Sequence, residues 1–315
     1  MSCPTAVVFI VFRRPDLTAK VFETIRNAQP TQLLIVADGP HSKDDAVRCQ
    51  AARAVTNHVD WDCEVLRNYS EKNLGCRERI SSGLDWAFSI VEEAIILEDD
   101  CVPHPDFFPY CSELLAHYRD DMRIMVCSGS NQGNLSISGE ASYSFSIFPQ
   151  IWGWATWRRA WQMNQASMNF MEHPSVVQNL ALRAASIDLD FSHFLKQWKL
   201  IQEGQLDSWA YIWTASVWLN SGFCIRPRVN LVGNIGFNAQ ATHTVGHPPS
   251  WLSSPKEPIL PLKHPDYLVH DLIHDSLLAQ RFSKPSASFV AKAKTNLKAQ
   301  IKLSPLYKLF SSDLA

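Results

Sequence analysis

Five short apolar runs, at residues 7–12, 33–37, 63–66, 94–97 and 124–127, punctuate the first 130 residues of this 315-residue chain. Apart from Glu64 in the third, they are apolar without a polar alternation, the pattern of a strand covered on both faces. Helical stripes separate them. Leu17, Val21 and Ile25 recur every fourth residue behind Pro15, which suits a first helical turn. Ile80, Leu84, Phe88 and Val91 form another stripe. Strands alternating with helices imply a parallel sheet with right-handed crossovers, an α/β doubly wound architecture.

Composition supports a folded chain, since 46% of residues are hydrophobic and 19% charged. After Asn131 the pattern changes to a Gly/Ser-rich loop, then aromatic-rich helices, then a Pro- and His-rich stretch. Three parts are expected: an α/β part at 1–130, a second part at 131–260, and a basic tail at 261–315. The formal net charge of −2 argues against nucleic acid as a partner, because such binding needs clustered cationic surface. From residue 284 onward six lysines meet one acid, Asp313, a net of +5 that leaves −7 for the rest. Apolar runs near the start fall well below the ~20 residues that span a bilayer. The eight cysteines show no CxxC or Cys-His metal spacing. They read as reduced thiols and point to a cytoplasmic protein.

The most informative stretch places Glu98, Asp99 and Asp100 directly after the apolar run 94–97. Open α/β sheets bind ligands at the carboxyl ends of their strands. Adjacent carboxylates there suit a hard divalent ion, Mn²⁺ or Mg²⁺, that bridges substrate phosphates. A solvated acidic turn is the alternative for the same residues.

The segment Glu98-Asp99-Asp100-Cys101-Val102-Pro103-His104-Pro105-Asp106-Phe107-Phe108-Pro109-Tyr110 resembles the EDD segment and following helix start of GT-A-type glycosyltransferases related to N-acetylglucosaminyltransferase I. Arg13-Arg14 after the first run, Asp38-Gly39 after the second and Asn73-Leu74-Gly75 before a helix follow in similar order. The resemblance spans roughly residues 5 to 245, strongest at 94–110. It implies a GT-A, Rossmann-like fold with a nucleotide-sugar donor, a UDP-sugar, over the sheet, and transfer with inversion to a glycan or glycolipid acceptor. It further implies that Asp100 binds the metal, that Asp99 faces the ribose or sugar, and that Asp38 and Arg14 meet the nucleobase region. His243 becomes a candidate metal or diphosphate ligand. Arg77 is a candidate phosphate contact.

Inverting transfer needs a base for the acceptor hydroxyl, and Asp207, flanked by aromatics, is the candidate. An N-cap role before the helical run that follows is its alternative. Eight of the 11 tryptophans lie between residues 152 and 218. Trp154, Trp157 and Trp161 are spaced as one helical face, which favours core. Trp152, in the preceding loop, and Trp209 are the candidate acceptor contacts. Lys292, Lys294, Lys298 and Lys302, interleaved with Leu297 and Ile301, suggest peripheral contact with an anionic membrane or a solvated terminal helix. A different class of function, a non-catalytic carbohydrate-binding protein with a Trp-rich groove, fits the aromatics but not the three acids. A sugar nucleotidyltransferase should carry a Gly-rich loop after its first strand, and residues 12–15 are not one.

Overall fold

A computed structural model describes residues 3–132, 140–165, 167–237 and 258–282. The amino-terminal half is built as β1 (Ala6–Val11), α1 (Pro15–Ala28), β2 (Gln32–Ala37), α2 (Lys43–Val55), β3 (Glu64–Tyr69), α3 (Gly75–Ile90), β4 (Glu93–Glu98), β5 (Cys101–Pro103), α4 (Phe107–His117) and β6 (Ile124–Ser128). Then come β7 (Tyr143–Ser146), β8 (Trp154–Trp157), α5 (Arg158–Trp161), α6 (Pro174–Ala185), α7 (Phe191–Gln202), α8 (Trp209–Leu219), β9 (Phe223–Pro227), β10 (Val232–Asn234) and α9 (Leu272–Ala279). Eight strands form one sheet in the order β3-β2-β1-β4-β8-β6-β9-β7, and β10 pairs with β5 in a two-stranded sheet. The block β3-β2-β1-β4 is parallel throughout, a Rossmann-like arrangement, whereas β8 runs antiparallel to both its neighbours. The protein is therefore mixed α/β, with helices on both faces of a large sheet. Residues on either side of the composition change near 130 share that sheet.

Strand geometry divides the core in two. Successive side chains of a strand point to opposite faces, so Val8, Ile10, Leu34, Val36 and Ile96 pack with α3, α7 and α8, while Val7, Phe9, Leu33, Ile35 and Leu97 pack with α1 and α4. This is why the runs are continuously apolar. Burying each such side chain contributes roughly 1.5–3 kcal/mol. In α1 Pro15 opens the helix and Val21 and Ile25 of the expected stripe are buried with Phe22, while Leu17 is only half-buried.

The tryptophan region corrects the helical expectation. Trp154 and Trp157 lie in β8, wedged between β4 and β6, and the helix begins only at Arg158. A slot between two existing strands accepts the aromatic and β-branched run Trp-Ala-Thr-Trp as a strand, and that tertiary context overrides the three-residue spacing. The two rings consequently face opposite cores. Trp154 packs beside Trp209, Trp213 and Trp161, and Trp157 joins the α4 side. All eight cysteines are free thiols, six of them buried. Among the described residues no helix is long and apolar enough to cross a membrane.

Candidate functional site at the carboxyl edge of the sheet

The parallel strands end together, so β1 runs toward Arg13 and Arg14, β2 into Asp38, and β4 into Asp99 and Asp100. Arg14 precedes α1 and turns its guanidinium onto the acids. Its Nη2 donates to Asp99 Oδ1 and, at 2.9 Å, to Asp100 Oδ2, while Nε reaches Asp99 Oδ2 at 3.4 Å. Burial opposes the charge on Arg14, but Asp99 and Asp100 outweigh it and raise its pKa. Asp99 and Asp100 are 3% and 8% exposed. Burial raises the Asp99 carboxyl, with Arg14 pulling the other way. Burial, then the charges of Asp100 and Asp99, push Glu98 up to about 8. One guanidinium thus stands against three acids in a shielded place.

The chain beyond residue 230 closes this corner. β10 pairs antiparallel with β5, the strand that follows the acids. Asn234 Nδ2 donates to Asp100 Oδ1 at 3.3 Å, the Ile235 N–H donates to the Asp100 carbonyl at 2.9 Å, and the Gly236 N–H donates to Asn234 Oδ1 at 2.8 Å. A Cβ at Gly236 would collide with the Asp100 carboxylate, so any side chain there would displace that group. Asn234 was not among the sequence candidates. It lies in the Gly- and Asn-rich run that starts at residue 230, a turn-like composition that nevertheless contains β10.

Asp38 is buried and accepts the N–H groups of Gly39 and Leu74 through Oδ1, at 2.8 and 3.0 Å. Burial raises its carboxyl, and these bonds partly offset that. Asp38 thereby ties the end of β2 to the start of α3. Asp207 does the same from the opposite side. It is exposed, and its two oxygens accept the Cys76 N–H at 2.7 Å and the Arg77 N–H at 3.0 Å. The expectation that Asp207 caps its own helix is corrected: Ser208 precedes α8 without a side-chain cap, and Asp207 caps α3 across the fold. Orphan N–H groups at a helix start favour such a carboxylate. The Cys76 thiol lies among these groups. Burial, with added repulsion from Glu98, Asp207, Asp38 and Asp100, raises its pKa, the acids coming from the ends of two strands, β2 and β4, and from the residue before Ser208.

Gly75 makes the contact possible. Its φ is +81°, and a Cβ there would lie 2.7 Å from Asp207 Oδ2. Gly75→Ala is expected to cost about 1–3 kcal/mol through strain and displacement of the cap. Urea denaturation of Gly75→Ala, alone and combined with Asp207→Ala, measures both parts, the second variant recovering the collision but not the backbone strain.

The other candidates separate. The Arg77 guanidinium reaches the Ile201 carbonyl at the end of α7, at 3.5 Å, rather than the acids. Trp209 is 3% exposed, with its ring stacked 5.7 Å from that of Trp154, so it is a core residue with no face for a glycan. Trp152 is half-buried in the loop before β8, edge-on to Phe237 at 5.9 Å, and its carbonyl accepts a bond from Ser130. His243 lies outside the described residues, as do the lysines beyond residue 282. Among the described residues no three His, Cys, Asp or Glu side chains form a metal-binding group.

No protein-family profile matches the sequence, and no curated protein matches it. Among solved structures, 4-diphosphocytidyl-2C-methyl-D-erythritol synthase from Anaerococcus prevotii is similar over 50% of this chain and 74% of its own, at 7% identity and a TM-score of 0.30. A UDP-glucose pyrophosphorylase complexed with UDP-glucose is similar over 50% of this chain and 70% of its own, at 9% identity and a TM-score of 0.28. At those scores the likeness is one of strand and helix alternation and says nothing of ligand or reaction.

Proposed function

We propose that the chain is a metal-dependent GT-A-type glycosyltransferase that moves a sugar from a UDP-sugar to a hydroxyl of a glycan or glycolipid, with inversion. The observation that carries the proposal is the junction of Asp99 and Asp100 with Arg14 at the carboxyl edge of the parallel strands, one strand from Asp38. Ligands of open α/β sheets lie at that edge.

The donor set fits a hard divalent ion. A Mg²⁺ or Mn²⁺ ion needs one or two carboxylates when phosphates and water complete its shell. Asp100 would hold it. Asp99, which accepts from Arg14 with both oxygens, would face the ribose or sugar, while Asp100, with one oxygen on Arg14 and the other on Asn234, keeps lone-pair directions for the ion. When bound, the ion offsets charge on the departing diphosphate. The chain supplies the rest: Arg14 fixes the two aspartates, Asp38 would accept a nucleobase N–H beside the backbone N–H groups it holds, and Asn234 steadies Asp100. Asp207 would take the acceptor proton. A carboxylate offers about four lone-pair directions, and two backbone bonds leave room for a hydroxyl.

The carbohydrate-binding alternative loses its groove, because Trp154, Trp157, Trp161, Trp209 and Trp213 are all buried. A panel of UDP- and GDP-sugars, assayed for hydrolysis and transfer with Mn²⁺ or with EDTA, tests the proposal. Metal-dependent turnover of UDP-sugars is expected, and indifference to both nucleotide and metal would refute it. With a working donor, Asp207→Asn should lower transfer about a hundredfold and leave donor affinity unchanged, as expected for loss of a base.

A further inference from the structure

Helix α9 buries an acid and a histidine while leaving three aliphatic side chains exposed. It buries His274, Asp275, Leu278 and Ala279, and exposes Leu272, Ile273 and Leu277. Just before it, Tyr267 and Val269 are also exposed, at 79% and 67%, and Ile273 reaches 74%. Five of the nine exposed large hydrophobic residues among the described ones therefore fall within residues 267–277.

Polar anchors set this rotation. Asp275 is fully buried and accepts from Ser146 Oγ at 2.6 Å and the Ile147 N–H at 2.8 Å, and His270 Nε2 lies 2.7 Å away. Asp271, ahead of the helix, accepts the His274 N–H at 3.1 Å and pairs with the buried Arg226 at 2.8 Å. The Asp271 N–H donates to the Phe145 carbonyl, so the segment is also tied to the outermost strand, β7. With one side of the helix committed to those bonds and to Leu278 and Ala279, the side chains of Leu272, Ile273 and Leu277 face outward. An exposed apolar face held so firmly marks an interaction surface.

We propose that this face docks the protein onto an anionic lipid surface. The sequence that continues from it carries six lysines and one acid after residue 283, a net of +5, while the rest of the chain carries −7. An apolar patch followed in the sequence by a lysine-rich stretch matches a bilayer that offers both an acyl boundary and negative headgroups. A second copy is a poorer occupant. Symmetric pairing would join two chains that each continue into a stretch of net charge +5, a repulsion that an anionic surface replaces by attraction. The inference is independent of the proposed catalysis, since docking needs neither nucleotide nor metal.

The test is co-sedimentation of the full-length protein with vesicles, without nucleotide. Binding to phosphatidylcholine vesicles containing phosphatidylglycerol, weakened by salt and absent for phosphatidylcholine alone, is expected. Ile273→Asp and Leu277→Asp, which change exposed side chains, should each lower the partition coefficient about tenfold or more. Lys292→Gln and Lys294→Gln should each lower it about fivefold, the equivalent of about 1 kcal/mol per lysine near the surface. Near-UV circular dichroism verifies that the variants are folded. Three results would overturn the proposal: no binding to anionic vesicles, binding that Ile273→Asp leaves unchanged, or a wild-type dimer that Ile273→Asp converts to monomer in light scattering.

Discussion

Asp100→Ala should abolish metal-dependent turnover of the donor, by about a thousandfold, while leaving the chain folded. The size follows from the several kcal/mol that a bound metal contributes to a departing diphosphate, where each 1.36 kcal/mol is about tenfold in rate. Folding should survive because Asp100 is not an isolated structural charge. Arg14 keeps Asp99 as a partner through two nitrogens, and Asn234 keeps its bond from the Gly236 N–H. Removing one of three crowded acids also relieves repulsion on Glu98, whose carboxyl burial, Asp100 and Asp99 raise. Turnover with Mn²⁺ and a thermal melt of the same sample separate the two effects. A variant that melts like wild type and turns over like wild type would remove Asp100 from the mechanism.

Asp275→Ala should be the most damaging change to stability, by about 3–5 kcal/mol. Its carboxylate is fully buried, and its loss strips partners from Ser146 Oγ, the Ile147 N–H and His270 at once. Leaving a buried network half satisfied costs more than the bonds were worth. The adjacent His274 makes matters worse, since burial, then Arg226 and Arg281, lower its pKa to about 2 and keep its ring neutral. Both its ring nitrogens already lack partners. Urea unfolding measures the loss, and a change below about 1 kcal/mol would mean that water substitutes for the carboxylate.

Continuously apolar runs made β1, β2, β4 and β6 legible, because strands covered on both faces leave no polar alternation to misread. β7, β8 and β9 were not legible. Tyr143–Ser146 carries two serines, and the tryptophans of β8 are spaced three apart, so only the slot between β4 and β6 makes that segment a strand. At the site, Glu98, Asp99 and Asp100 stood out because three acids seldom follow a buried strand without a purpose, and Arg14 was visible as the first cation beyond β1. Bonds between distant segments left no local trace. Asn234 is 134 residues from Asp100, and Asp207 is 131 from Cys76. The N-cap propensity of Asp207 was readable, but its choice of α3 over α8 depends on the packing of those helices.

Calorimetric titration of UDP into the wild-type protein, once with Mn²⁺ and once with EDTA, bears most directly on the central claim that Asp100, beyond the end of β4, holds a nucleotide diphosphate through a metal. Binding of UDP with Mn²⁺ that EDTA and Asp100→Ala both eliminate is the predicted result. Equal UDP binding in EDTA, or no UDP binding with Mn²⁺ present, would contradict it.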